Sequence, residues 1–99
     1  MATGKIQKPE NRFDVQSIDG NASHTFTLTP SNGYMLVISG TQSSNSQRKG
    51  LYLVYDASAG GVTITNLLQS SVVTMDTGTA NKLKVTASAV VFATLIKMT

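Results

Sequence analysis

The chain is predicted to fold as an all-β domain of about eight short strands, a sandwich or barrel, on three observations. From residue 12 onward apolar side chains recur with a period of two, and turn residues interrupt them at roughly eight- to twelve-residue intervals. No long segment carries the three-to-four spacing of an amphipathic helix, which excludes parallel βαβ folds. Composition agrees with both: 13 threonines and 11 serines stand where lysines and glutamates are usual, and threonine favours strands while serine favours turns. With 99 residues, 40% of them hydrophobic and 13% charged, there is enough apolar surface for one core and too little length for two.

Residues 1–11 have no period, and Pro9 disfavours helix, so they are predicted to form an N-terminal arm, flexible or docked on a partner, ahead of a sandwich domain over 12–99. Phe13 and Val15 then alternate with Asp14 and Gln16. Asp19-Gly20-Asn21 tolerates positive φ and predicts a hairpin or tight corner, after which His24, Phe26 and Leu28 alternate with Thr25, Thr27 and Thr29. In Pro30-Ser31-Asn32-Gly33 proline fixes φ and Gly33 is expected at the left-handed position. Tyr34–Ile38 is almost continuously apolar, as expected of a strand buried on both faces. Gly40–Gly50 is polar and predicts an exposed loop. Leu51–Tyr55 is a further strand, stopped by Asp56 and an Ala59-Gly60-Gly61 corner.

Val62 and Ile64 alternate with Thr63 and Thr65, a helical turn is expected near Asn66–Ser70, and Val72–Met75 is the next strand. Asp76–Asn81 turns the chain. Leu83, Val85 and Ala87 alternate with Lys82, Lys84 and Thr86, giving one dry face and one wet one. Val90–Met98, the closing strand, is apolar on both sides. Strands dry on both faces, in a chain this short, exceed what a single two-layer core covers, and this predicts a homo-oligomer.

Catalytic chemistry has little to work with. There is no cysteine, hence no disulfide, thiolate zinc site or cysteine nucleophile. His24, the sole histidine, is in phase with Phe26 and Leu28 and is expected at intermediate burial in a strand. Asp76-Thr77-Gly78 resembles the aspartic-protease triplet, but no flap hairpin and second apolar-flanked glycine follow it, and a turn explains it. Asp14, Asp19, Asp56 and Asp76 sit near strand ends without the spacing of a calcium loop. No Gly-x-Ser-x-Gly elbow is present, and neither Gly60-Gly61 nor Gly78 opens a phosphate-binding helix. The expectation is a protein that is not an enzyme, with no catalytic residue, metal or cofactor. A net charge of only +3, with the six aromatics mostly inside apolar runs, argues against nucleic acid. Met1–Arg12 lacks the apolar core of a signal peptide, and Asn21-Ala22-Ser23 carries little weight as a glycosylation sequon without one. Ala87–Ile96, broken by Ser88 and Thr94, is too short to span a bilayer, so a soluble protein with no membrane insertion is expected.

One segment invites a binding role. In the Gly40–Gly50 loop Asn45, Gln47, Arg48 and Lys49 offer donors and acceptors for sugar hydroxyls, and Tyr52, with Tyr55, is expected to offer a ring face for stacking. A solvated connector is the plainer alternative.

Asn32-Gly33-Tyr34-Met35-Leu36-Val37-Ile38-Ser39, the Ser/Asn-rich loop after it, Gly50-Leu51-Tyr52-Leu53-Val54-Tyr55-Asp56, Val62-Thr63-Ile64, and the pattern from Leu83-Lys84-Val85-Thr86 to Leu95-Ile96 together resemble the small β-sandwich modules of bacteriophage and prophage tail fibres. The likeness is one of rhythm and composition and runs over residues 12–99. It implies an antiparallel, jelly-roll-like sandwich, a homotrimer, a place in the virion at the tail or capsid surface, and recognition of a host-surface receptor such as a glycan. A purely structural virion part, a capsid decoration or tail connector, is the alternative. The arm would then join other virion proteins. A fibre tip normally follows a long shaft, whereas here a Met stands just ahead of the domain, so either an excised fragment or a compact stand-alone virion protein is expected.

Overall fold

A computed structural model of the chain describes residues 13–40, 49–59 and 61–98. The arm 1–11 and the loop residues Asn45, Gln47 and Arg48 lie outside them. Eight strands are described: β1 Phe13–Ile18, β2 Ala22–Thr27, β3 Asn32–Gly40, β4 Gly50–Asp56, β5 Val62–Leu68, β6 Val73–Asp76, β7 Lys82–Ala87 and β8 Val91–Lys97. All pairings are antiparallel. They form a large sheet in the order β1-β8-β3-β4-β5 and a small sheet in the order β2-β7-β6. No helix among the described residues is long and apolar enough to cross a membrane.

The core draws on the inner faces of both sheets. Ile18, Tyr34, Leu36, Ile38, Tyr52, Val54, Val91, Ala93 and Leu95 come from the large sheet, and Phe26, Val73, Leu83, Val85 and Ala87 from the small one. Period-two alternation makes this possible, because each strand sends every second side chain into the space between sheets. The nested pairs β1–β8, β2–β7 and β4–β5 have the wrap of a jelly roll. A full jelly roll would also set β3 beside β6. Here β3 pairs with β4 and β6 with β7 instead, so β4 and β5 extend the large sheet and the small one keeps three strands.

The turns follow the expected residue types, with one exchange of roles. Asn21 takes φ 64° and the Ala22 amide donates to the Asp19 carbonyl at 3.1 Å. Because β1 and β2 lie in different sheets, this is a corner and not a hairpin. At the next turn the left-handed residue is Ser31, with φ 65°, whereas Gly33 is already part of β3. A left-handed backbone costs an L-residue about 1–2 kcal/mol, against about 0.5–1 kcal/mol of extra chain entropy for glycine. Ser31→Gly should therefore raise the thermal midpoint by about 2–5 °C in calorimetry; a lowered midpoint would show that the serine side chain has a stabilising role.

The sequence-based bounds shift in two further places. The helical turn expected near Asn66–Ser70 is absent: β5 continues to Leu68 because β4 offers it a pairing edge, and the register slips where Tyr52 faces Asn66 but Leu51 faces Leu68, leaving Leu67 as the extra residue of a bulge. In β1 the core contact is made by Ile18, 2% exposed, while Phe13 and Val15 on the opposite face are 50% and 58% exposed. Asp14 and Gln16, in phase with Ile18, stay exposed and half-exposed, and Gln16 Nε2 donates to Asp14 Oδ1 at 2.6 Å.

Candidate functional site

Among the described residues, Lys49 and the two tyrosines proposed for sugar binding do not come together in one site. Lys49 is exposed just ahead of β4, and Asn45, Gln47 and Arg48 fall outside the described residues. The expectation for Tyr52 is corrected: its ring is 1% exposed, packed on the inner face opposite Leu36 and Asn66, and its hydroxyl accepts the Ser70 amide at 2.8 Å. A ring so enclosed offers no stacking face. Tyr55 is 48% exposed but on the opposite face of β4 and at the far end of the strand, about 20 Å from Lys49 at about 3.3 Å per residue. The alternation that separates Tyr52 from Tyr55 is legible in the sequence; which of the two faces is the core is not, since both are apolar.

Gly50 is shaped by the same enclosure. A Cβ there would lie 2.9 Å from Tyr52 Cε1 and 3.1 Å from Ser70 Cβ. Gly50→Ala should destabilise the fold by about 1–3 kcal/mol, read as a lower urea midpoint, because the buried ring has nowhere to yield.

Asp76, His24 and Asp56, singled out in the sequence, each make contacts within the fold. The Asp76 Oδ1 accepts the Gly78 amide at 2.7 Å, the side-chain turn expected of Asp-Thr-Gly. His24 is half-buried and meets Phe26 edge-on, ring centroids 4.6 Å apart. Asp56 is fully buried: its Oδ2 accepts Asn81 Nδ2 at 2.7 Å, and its Oδ1 has no hydrogen-bond partner among the described residues. Its backbone carbonyl accepts the Ser31 amide at 2.6 Å, while the Leu28 amide donates to the Asn81 carbonyl at 2.9 Å. Asp56 thus ties the end of β4 to the loops before β3 and before β7. Among the described residues no group of three His, Cys, Asp or Glu side chains is arranged to hold a metal ion.

The two outer faces of the sandwich differ sharply. On the small sheet, Thr27 faces Lys82, Thr25 faces Lys84 and Ser23 faces Thr86, with Asp76 beside Lys84: a water-facing surface. On the large sheet, one cross-strand row reads Phe13, Ile96, Met35, Leu53, Thr65 and the next Val15, Thr94, Val37, Leu51, Leu68. Phe92 lies between Ser17 and Ser39 in the row beyond. None of these positions carries a charge. Phe13, Val15, Leu53, Leu68 and Phe92 are 37–58% exposed. At one end, where Gly33 has no side chain, Leu53, Tyr55, Thr63, Thr65 and Met98 rim a hollow of about 230 Å³.

The surplus of apolar surface is visible in the sequence, but its location is not. The signal was present in β1, β3, β4 and β8, each of which keeps apolar residues in both phases; the pairing that sets them side by side joins residues too far apart in the chain for a local pattern to reveal. No protein-family model, no curated protein and no solved structure matches the chain.

Proposed function

We propose that this chain is a non-catalytic building block of a phage-type virion, a β-sandwich that works by assembling with copies of itself and with other virion proteins. What supports the reading is the contrast between the two outer faces: threonine, lysine and aspartate on the small sheet, uncharged apolar rows on the large one. Monomeric soluble proteins rarely expose contiguous apolar patches of this kind, and such patches mark interaction surfaces. Static light scattering on the purified chain tests it: a stable homo-oligomer is expected, and a monomer at high concentration sinks the reading. The same measurement separates the trimer implied by the tail-fibre resemblance from other stoichiometries.

Receptor recognition is the second reading, favoured by the placement of the chain's segments. Phe13 pairs with Ile96 near the end of the large sheet that carries Gly33, whereas Gly40 and Gly50 open the 41–49 loop at the other end. The strand ends that lead into residues 1–12 and 41–48 thus lie at opposite poles of the sheet, so a partner held near Phe13 leaves the Gly40 and Gly50 end clear. Combined alanine substitution of Gln47, Arg48 and Lys49 should then abolish adsorption to host cells and leave assembly intact. If instead the role is architectural, deletion of Met1–Pro9 should block incorporation into particles and the loop changes should be silent.

A further inference from the structure

We infer that the outer face of the large sheet is covered by the same face of a second copy of this chain, the two sheets stacked across a two-fold axis that runs close to β3. The inference rests on the self-assembly proposed above and specifies the surface and its occupant.

Residues 1–12 and 41–48 contain only Met1 and Ile6 as large apolar side chains, too few to shield two cross-strand rows. The occupant is therefore another molecule, and the chemistry of the face limits which. A nucleic acid or an anionic surface would require cations, and the rows through Met35 and Val37 carry none. A charged protein partner would leave its charges without counterparts. A second copy presents the same uncharged rows and keeps Lys82 and Lys84 of its small sheet on the far side of the molecule, so the two described faces meet without like charges between them. The face is also of adequate size: five strands about 4.8 Å apart and about 20 Å long give a footprint of roughly 500 Å² per copy, or roughly 1,000 Å² over both, the lower bound of a specific interface.

Shape points the same way. Twisted sheets stack face to face about 10 Å apart when small and large side chains interdigitate. The large-sheet face mixes small side chains at Thr65, Thr94, Ser17 and Ser39 with large ones at Phe13, Phe92, Leu53 and Tyr55, and the Gly33 hollow is a seat for one protruding side chain of the facing copy. A self-complementary contact of this type closes at two copies and leaves both polar faces to solvent.

The test combines stoichiometry with site. Light scattering on the wild type should give twice the chain mass, or an even multiple. Leu53→Lys and, separately, Val15→Lys should each return it to the single-chain mass at concentrations where the wild type is fully paired, with β-sheet circular dichroism retained. Thr25→Lys, on the small sheet, should change nothing. Because the sequence has no cysteine, a Met35→Cys variant gives a second readout that leaves the face apolar: oxidation should cross-link it into covalent dimers, whereas Thr25→Cys should form no covalent dimer under the same conditions. A wild-type trimer overturns this pairing and leaves self-assembly standing. So does an oligomer indifferent to Leu53→Lys and Val15→Lys whose Met35→Cys form does not cross-link. A wild-type monomer overturns both.

Discussion

Tyr52→Ala should remove about 3–5 kcal/mol of stability and lower the thermal midpoint by roughly 15–30 °C, the largest effect expected of any single change in this domain. The ring is 1% exposed at the centre of β4, between Leu36 of β3 and Asn66 of β5, and its truncation leaves a cavity that two paired strands hold open. Its hydroxyl also accepts the Ser70 amide at 2.8 Å, fixing the connection from β5 to β6. The two contributions separate experimentally. Tyr52→Phe keeps the packing and removes the acceptor, so it should cost about 1–2 kcal/mol. Since a domain of this length has a total stability of about 5–15 kcal/mol, Tyr52→Ala should be partly unfolded in mild urea while Tyr52→Phe still gives a full cooperative transition. Equal urea midpoints for the two variants would mean that the ring's burial contributes little.

The second large effect is expected at Asn81, although its side chain is small. Its amide is the hydrogen-bond donor to the buried Asp56 carboxyl, and its backbone sits at φ 59°. Asn81→Ala strips a fully buried carboxyl group of that donor, about 1.5–3 kcal/mol, and puts a Cβ-bearing residue without asparagine's local hydrogen bonding into the left-handed region, about 1 kcal/mol more. Asn81→Gly divides these terms, since it loses the donor and tolerates the backbone; it should fall between wild type and Asn81→Ala in equilibrium urea unfolding. A glycine variant as unstable as the alanine one would place the whole effect in the hydrogen bond.

Much of this architecture is visible in local pattern. The wet and dry faces of β7 follow from Leu83, Val85 and Ala87 against Lys82 and Lys84, and the left-handed Asn21 and Asn81 sit where turn residues cluster. Pattern fails where both phases of a strand are apolar. In β4 nothing local says that Tyr52 is interior and Tyr55 exterior; the decision is made by β3 and β5, whose inner residues Leu36 and Ile64 continue the same layer. In β1 pattern misleads, because the more conspicuous pair Phe13 and Val15 faces outward and the single Ile18 is the anchor. The bulge at Leu67 is a property of two strands in register and has no signature in one. The sugar-binding expectation for Tyr52 fails for the same reason as the β4 ambiguity: residue type suggests a stacking ring, and burial removes it.

The position of β8 has a consequence for how the molecule is made. β8, which follows the other seven described strands in the chain, lies between the first and the third, so the large sheet stays divided, with β1 detached from β3, until residues 91–97 have emerged from the ribosome. Local hairpins such as β3–β4 and β6–β7 are able to form during synthesis, but the layer that seals the interior waits for a closure between Phe13–Ile18 and Val91–Ile96, a slow step dominated by loop entropy. During that wait the greasy rows of β3 and β4 stand open beside an unpaired edge, where nascent chains on one messenger are neighbours.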